Sequence, residues 1–268
     1  MTNSGEVCLH LSGLGTARAD LPSIAALRKS LPAWVPKDTP GHFLKHADEQ
    51  TVVAVAALDA AIQLAERPIS DYSQWAIVAA PRFIGRIAGG VTIGRYSRGG
   101  GPSISPHLIP QHSLHSISGA LSILLSSRHP NFGIGGTGNS LREGLLTALA
   151  FPGLQPKGLW LIATAWEPEP QLDEGGNCCN APICHAVALA LQPAAAQGSC
   201  GRLRLVSDGQ DIESGSNYRW GENASGLCGR LAALMPGGPA SCFAWDLPFG
   251  GAVVLEAAKV VANLRAAA

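Results

Sequence analysis

Charged residues are scarce in this chain of 268 residues, since Asp, Glu, Lys and Arg make up only 14% of it. Globular proteins usually reach about a quarter. Its 19 basic and 19 acidic residues cancel, so no net field favours nucleic acid or an anionic membrane surface. Two origins of the low charge stay open: a surface covered by a partner subunit, or simply a sequence rich in Ala and Gly.

Targeting and membrane signals are missing as well. No basic stretch followed by an apolar run opens the chain, so we expect no signal peptide. Asp59 and Gln63 interrupt the most apolar window (51–65), and no run reaches the roughly eighteen apolar residues of a membrane span. We therefore expect a cytoplasmic protein without a membrane span.

Cysteine usage points to reduced thiols, because seven cysteines are an odd number and no secretion signal accompanies them. Cys178, Cys179, Cys184 and His185 cluster in the sequence and raise the question of zinc. They form no C-x-x-C pair, and no second pair completes a tetrahedral set. We predict buried, unreactive cysteines, no metal and no cofactor.

Hydrophobic patterning predicts strands alternating with helices, which indicates an α/β protein with a mixed sheet. A turn at 13–15 is predicted to close the first strand, 92–110 is predicted to be loop, and 167–181 is predicted to be a polar excursion. The predicted helices are 24–30, 48–66, 114–127, 141–149 and 224–234. The predicted strands are 7–12, 75–80, the segment before Gly133, 157–164, 183–191, 201–206, 241–246 and 251–256.

The most informative stretch is 130–140, where a strand ends in a glycine-built turn and runs directly into a helix. That is the shape of a nucleophile elbow, which displays a reactive side chain at a strained corner. The corner itself is Gly136, Thr137, Gly138 and Asn139, with no cysteine and no serine in the expected place. The stretch therefore predicts the architecture of an active site without its nucleophile.

Two other interpretations of this corner stay open. Its glycines (Gly133, Gly135, Gly136 and Gly138) suit an anion cradle at a helix N-terminus, although no acidic residue follows where a dinucleotide fingerprint needs one. Alternatively, Ser140 or Thr137 is a displaced nucleophile of a stand-alone acyltransferase or hydrolase. That reaction needs a general base, for which the candidates are His112, His115 and His185.

The order of these pieces resembles the amino-terminal half of a β-ketoacyl synthase of the thiolase fold. The resemblance lies in the opening strand with its Gly-Leu-Gly (7–15), the helix at 45–65, the segment 109–120 and the Pro-Asn approach to the elbow (129–132). Residue by residue, the catalytic cysteine of that family falls on Gly138. The resemblance covers about residues 6–193.

The departures concern catalysis. Ketosynthases use a thiolate and two histidines, whereas this chain has glycine at the cysteine position and no His-Gly-Thr-Gly-Thr segment. The ending 247–252 keeps a Phe-Gly-Gly turn without the residue that follows it in that family. The chain is also shorter by about a third, which places 194–268 as a shortened carboxyl-terminal part of a single ketosynthase-like domain spanning 1–268.

Short ketosynthase-like chain-length factors of aryl-polyene and type II polyketide clusters resemble this pattern. The resemblance implies a catalytically inactive subunit that forms a heterodimer with an active β-ketoacyl synthase, shapes its acyl tunnel and reaches acyl carrier protein through the complex. It implies no catalytic residue, with Gly138 at the nucleophile position. The residues expected at the interface or tunnel are His115, Ile117, Gly119, Phe132, Gly136, Thr137, Gly138 and Asn139.

Further residues are left with open or no roles. His112 and His115 precede the helix expected at the dimer contact, where an interface role is the favoured interpretation. Four arginines either meet an acidic carrier protein or are solvated loop residues: Arg82, Arg86, Arg95 and Arg98. Nothing in the sequence assigns a role to 207–223.

Overall fold

The computed structural model of the chain describes residues 7–64, 71–106, 108–135, 139–151, 156–194, 199–206, 218–219, 242–247 and 250–257. The helix predicted at 224–234 and nearly all of 207–223 lie outside these residues. Three residues of the elbow, Gly136, Thr137 and Gly138, also lie outside them.

The described residues alternate strands and helices, as the patterning predicts. The strands are β1 (Cys8–Asp20), β2 (Trp75–Pro81), β3 (Asn131–Gly133), β4 (Gly158–Glu167), β5 (Ile183–Gln192), β6 (Gly201–Val206), β7 (Tyr218–Arg219), β8 (Cys242–Asp246) and β9 (Ala252–Ala257). The helices are α1 (Leu21–Leu27), α2 (Glu49–Leu64), α3 (Arg86–Gly99), α4 (Leu108–Gln111), α5 (Ser116–Leu124) and α6 (Ser140–Ala150), with a 3-10 turn at Gly101–Ser103.

The described strands form one mixed sheet in the order β3-β2-β4-β5-β1-β6-β9-β8-β7. Strands β3, β2 and β4 run parallel, whereas β4, β5, β1, β6, β9 and β8 are joined by antiparallel pairings. Parallel β2 and β3 are linked through helices, as parallel strands require. The prediction of an α/β fold with a mixed sheet is confirmed.

One face of the sheet packs against α2, whose alanine-rich sequence gives it a nearly flat surface. Val53, Ala57 and Ala61 on this helix are fully buried against β1 and β5. Gly15 on β1 lies so close that a Cβ there would overlap the backbone of Ala57. The turn predicted at 13–15 is therefore wrong: Gly15 instead lets α2 approach the strand, and β1 continues to Asp20 with a bulge between Leu11 and Gly13.

The other face of the sheet packs against α6. Leu145 and Ala148 of this helix are fully buried in a second core, together with Val78, Leu161 and Val253. A Cβ added to Gly144 would lie 2.7 Å from the side chain of Ala80, which shows how closely the helix follows the sheet. Helices therefore cover both faces, and the elbow leads directly into the helix of the second core.

The prediction of loop over 92–110 is wrong, because α3 occupies 86–99 and α4 begins at Leu108. Glycine disfavours helix, and this segment is rich in it, so local propensity points away from the observed structure. Gly90 and Gly94 stand one turn apart and bring α3 against Leu172, Gly175 and Gly176. Tertiary packing thus stabilises a helix that its sequence alone does not favour.

The carboxyl-terminal pair of predicted strands is confirmed as β8 and β9, which pair antiparallel from Asp246↔Ala252. Gly250 and Gly251 in the connection have positive φ values of 94° and 80°, which glycine adopts without strain. Pro248 and Phe249 lie outside the described residues. No helix in the described part of the chain is long and apolar enough to cross a membrane.

Candidate functional site

The elbow strand β3 lies at an edge of the described sheet, next to β2. Its flanks are fixed by hydrogen bonds from the N–H of Ile77 to the carbonyl of Pro130 (3.1 Å) and from the N–H of Ile134 to that of Ala79 (2.8 Å). In a parallel ladder this pattern turns the backbone N–H and C=O groups of Asn131 and Gly133 away from β2. An edge of this kind is a template for pairing with another strand.

Gly133 fixes how the helix α5 meets this strand. A Cβ on Gly133 would overlap the backbone of Leu114, and it would lie 2.6 Å from the N–H nitrogen of His115. Gly135, two residues on, has φ of 85°, and a Cβ there would lie 2.6 Å from the Cβ of Ser140. Glycine is therefore required on sterics at both positions, which accounts for half of the elbow's glycines without any ligand.

The helix side of the elbow begins at Asn139, the exposed N-cap of α6, which makes no side-chain capping hydrogen bond. Ser140 is buried at the first helical position. Because Gly136, Thr137 and Gly138 lie outside the described residues, their expected places at an interface or tunnel stay predictions.

Helix α5 has one face inside the protein and one outside it. Ile117 is fully buried in the core shared with α2, so its side chain is not available at the surface for an interface, and its expected place along a tunnel stays a prediction. His115 and Ile123 are exposed, and Gly119 is half-buried beside the His115 ring. The side of α5 available to a partner is thus the side that carries His115, Gly119 and Ile123.

Exposed apolar side chains are concentrated in the part of the sequence that leads from α3 to β3. Phe132 on β3 is 42% exposed, although one side of its ring packs edge-on against Phe151 with centroids 5.5 Å apart. Six of the nine exposed large apolar residues in the described part fall between positions 93 and 132. We call these six the edge surface: Ile93, Tyr96, Ile109, Leu114, Ile123 and Phe132.

A buried carboxylate, Asp48, joins the segments that frame the edge surface. Its Oδ2 accepts hydrogen bonds from the Gly85 N–H (3.0 Å), just before α3, and from the His112 Nδ1 (2.9 Å), just after α4. Its Oδ1 accepts from the Gln50 N–H (2.9 Å) at the start of α2. Asp48 therefore ties the starts of α2 and α3 to the residue that follows α4, and the hydrogen bond of His112 lies within its own subunit.

The same cluster extends to Glu49 and Arg28. Arg28 forms an ion pair with Glu49 at 2.8 Å and donates to the carbonyls of Leu44 (3.1 Å) and Ala47. Burial raises the pKa of Glu49 and the neighbouring Asp48 raises it further, whereas Arg28 and His112 lower it. Arg28 thus offsets the proximity of two carboxylates at the start of α2.

A second polar group lies on the α6 face, where His185 on β5 stands between Arg18 of β1 and Ala165 of β4. His185 Nδ1 and Glu167 Oε2 are both enclosed and make no hydrogen bond in the described part of the chain. Burial lowers the pKa of His185, the charge of Glu167 raises it and Arg18 lowers it. No local sequence pattern predicts that Glu167 and Arg18 lie near His185, because the antiparallel register of β1, β5 and β4 brings them together.

Two of the three histidines proposed as general bases make hydrogen bonds to other residues, and the third, His185, lies on β5. His112 binds Asp48, and His115 Nδ1 lies 3.2 Å from the Ser118 hydroxyl of its own helix. Within the described residues, no hydrogen bond joins a histidine ring to Ser140. Ser140 therefore lacks the geometry of an activated nucleophile in this arrangement.

Within the part of the chain that the structure describes, no group of three or more His, Cys, Asp or Glu side chains could hold a metal ion. The expectation that the cysteines are buried holds for Cys184 but is wrong for Cys179, which is exposed, and for Cys178, which is half-buried. Both stand in the 167–181 excursion, where Cys178 Sγ lies 3.2 Å from the Asn180 Oδ1. A polar loop leaves thiols uncovered that a strand would bury.

No family model matches the chain, and no curated protein matches its sequence. Solved structures do match its fold, a mixed sheet with helices on both faces. That fold is the thiolase-like fold, as the resemblance to ketosynthases predicts.

Three of these structures define the likeness. The AntDE:AntF complex, a type II polyketide synthase acyl-carrier protein with its ketosynthase bound to the hexaketide, matches with a TM-score of 0.61 and 10% identity over 94% of this chain and 99% of that chain. The ishigamide ketosynthase/chain length factor matches with 0.57 and 13% over 93% and 98%. The ketosynthase ApeO in complex with its chain length factor ApeC from Xenorhabdus doucetiae matches with 0.51 and 16% over 92% and 98%.

Proposed function

We propose that this chain is a ketosynthase-like subunit without condensing activity of its own, which pairs with an active β-ketoacyl synthase as a chain-length factor. The main observation behind the proposal is the edge strand β3. Its Asn131 and Gly133 backbone groups point away from β2 and Phe132 is exposed, so another strand can pair with it. Pairing about a two-fold axis would continue the sheet into the partner and cover the edge surface.

The missing reagents support an inactive role. A condensing enzyme needs a thiolate to carry the acyl chain and histidines to promote decarboxylation. The aligned position here is Gly138, and the segment 129–140 contains no cysteine at all. Glycine is required for steric reasons at Gly133 and Gly135, independently of any nucleophile at the corner.

The fold neighbours support the kind of partner. Two of the three structures compared are described as a ketosynthase with its chain length factor, and the third contains a ketosynthase with an acyl-carrier protein. In such an assembly this chain would shape the acyl tunnel of the partner at the elbow and limit how far the chain grows. An acyl carrier protein would then bind the complex of the two subunits rather than this chain alone.

Co-expression tests the proposal, with the complete ketosynthase that is encoded nearest to this chain in its genome. We expect the chain alone to be poorly soluble or inert, and to purify as a stable one-to-one complex when the ketosynthase is present. Intact-mass analysis after incubation with an acyl thioester should show the acyl group on the ketosynthase only. A clean monomer or homodimer that takes up the acyl group itself, for example on Ser140, would contradict the proposal.

A further inference from the structure

Two adjacent cysteines, Cys178 and Cys179, lie in the excursion between β4 and β5. Residues 169–180 fold back on themselves there, and we call them the cysteine hairpin. Leu172 and Cys178 form an antiparallel bridge, and the N–H of Cys179 donates to the carbonyl of Gln171 at 2.8 Å. Both cysteines therefore take part in the backbone pairing that closes the hairpin, while their thiols form no disulfide.

The tip of the cysteine hairpin packs against α3. A Cβ on Gly94 would lie 2.7 Å from the carbonyl oxygen of Gly175, and a Cβ on Gly90 would overlap a side chain of the hairpin. The base of the hairpin is joined to the first residue of α3 by the Arg86–Glu169 ion pair at 3.1 Å. A glycine-rich helix of this length has little stability of its own. The fit of the hairpin therefore contributes to holding α3 in place.

The two thiols of the hairpin have different surroundings. Cys178 is half-buried, with its Sγ 3.2 Å from the Asn180 Oδ1, whereas Cys179 is exposed, with its Sγ 3.6 Å from the carbonyl oxygen of Asn177. Consecutive side chains of an extended strand point to opposite sides. Neighbouring Cα atoms are also only about 3.8 Å apart, whereas disulfides usually join Cα atoms about 4.4–6.8 Å apart. The backbone that the hairpin needs at these two residues therefore keeps their sulfur atoms from bonding to each other.

We propose that Cys178 and Cys179 form a reversible redox site, whose oxidation to a disulfide opens the cysteine hairpin and loosens α3. Closing the disulfide takes Cys178 out of its bridge with Leu172, or moves the Cys179 N–H away from the Gln171 carbonyl. Because this pairing holds the tip of the hairpin, the contact of the tip with α3 is lost at the same time. Reduction restores both the pairing and the contact. This site is independent of the subunit pairing proposed above.

A low-molecular-weight disulfide, such as oxidised glutathione, supplies the oxidant. The thiolate of the exposed Cys179 attacks one of its sulfurs, which breaks the glutathione S–S bond, forms a mixed disulfide and releases one glutathione thiolate. The thiolate of Cys178 then attacks the Cys179 Sγ and displaces the second glutathione thiolate. The two released thiolates take up the two protons that the cysteines lost, so two protein thiols are oxidised and one disulfide is reduced to two thiols.

Treatment of the full-length chain with oxidised glutathione, compared with a dithiothreitol-reduced sample, tests the site. Differential alkylation with mass spectrometry should find Cys178 and Cys179 oxidised together, with no glutathione retained. The amides of α3 should then exchange with deuterium about tenfold faster or more than in the reduced chain, whereas those of β4 should not change. Cys178→Ser should stop at a glutathione adduct on Cys179. Cys8→Ser, at a half-buried cysteine outside the hairpin, is the control and should respond like the unmodified chain.

Glutathione that remains on Cys179 of the unmodified chain would show that Cys178 does not close the disulfide, and the proposal would fail. A pair that stays reduced, or a disulfide from either cysteine to a third one, would also overturn it. Equal exchange of α3 in the oxidised and reduced chains would overturn the opening of the hairpin. The same acceleration of exchange in the glutathione adduct of Cys178→Ser would assign the effect to the bulk of the adduct, which would equally refute the disulfide as its cause.

Discussion

Replacing Asp48 with alanine is expected to be among the most damaging single changes in this protein. The Asp48 carboxylate is 1% exposed and accepts three hydrogen bonds, from Gln50, Gly85 and His112. A hydrogen bond to a charged group contributes about 1.5–3 kcal/mol, and a buried donor left unpaired costs about 1–3 kcal/mol. Because these contributions overlap, we expect Asp48→Ala to lower the free energy of unfolding by about 3–5 kcal/mol.

That loss is large beside the total stability of about 5–15 kcal/mol that is typical of folded proteins. Urea denaturation followed by the fluorescence of the buried Trp75 and Trp160 measures it. With a slope near 3 kcal/mol/M, the midpoint should fall by about 1 M or more. Asp38→Asn, at an exposed carboxylate, is the control and should stay within about 0.5 kcal/mol.

The double variant Asp48→Ala with His112→Ala separates the shared bond from the rest of the cluster. We expect a coupling energy of about 1–2 kcal/mol between the two positions, as for other residues in one hydrogen-bonded network. A cost below about 1 kcal/mol for Asp48→Ala, or no coupling to His112, would refute the view that this carboxylate holds the start of α3 to the segment between α4 and α5.

Two further changes test the strand edge and the second polar group. Gly133→Ala should destabilise the protein by about 1–3 kcal/mol, because its Cβ would overlap the Leu114 backbone. A thermal melt measures this, with Gly89→Ala as control because the space around Gly89 is open. Equal melting temperatures for the two variants would show that α5 does not pack closely on β3. His185→Leu should stabilise the protein more at pH 5 than at pH 8. Burial lowers the pKa of His185, so the folded state resists protonation and loses stability as the pH falls below the ordinary value of about 6.5. An equal effect at both pH values would argue against that burial.

Much of the sheet could be predicted, because strands that are buried on both faces consist of consecutive apolar residues in the sequence. Strands β2, β4 and β5 are nearly all buried along their length, and the sequence marks each of them with valine, isoleucine, leucine and alanine. Helix α2 was equally clear, since sixteen residues without glycine or proline follow one another. These elements carry their own local signal.

The errors fall where tertiary contacts override local preference. Gly15 was interpreted as a turn, yet its role is to let α2 approach β1. Gly94 falls in the segment predicted to be loop, yet it forms, with Gly90, the packing face of a helix. No single-residue pattern reports a contact between residues 90 and 172, because that contact exists only once the 167–181 excursion is in place.

The candidate site was predictable in outline only. The elbow's strand and helix were recognisable from their glycines and flanking apolar residues, and the thiolase-like fold confirms that architecture. The placement of Ile117 in the core, the bond of His112 to Asp48 and the meeting of His185 with Glu167 depend on register and packing. Position along the chain does not encode these three facts.

Hydrogen exchange at the elbow strand tests the pairing most directly. The amides of Asn131 and Gly133 point away from β2, so in the chain alone they should exchange quickly, whereas in the complex with the ketosynthase a partner strand should protect them. The matched reference is the interior strand β4, whose amides should be protected in both samples. We predict slowed exchange over 131–133 on complex formation and no change in β4. Equal exchange over 131–133 in the free chain and in a stable complex would contradict pairing through this edge.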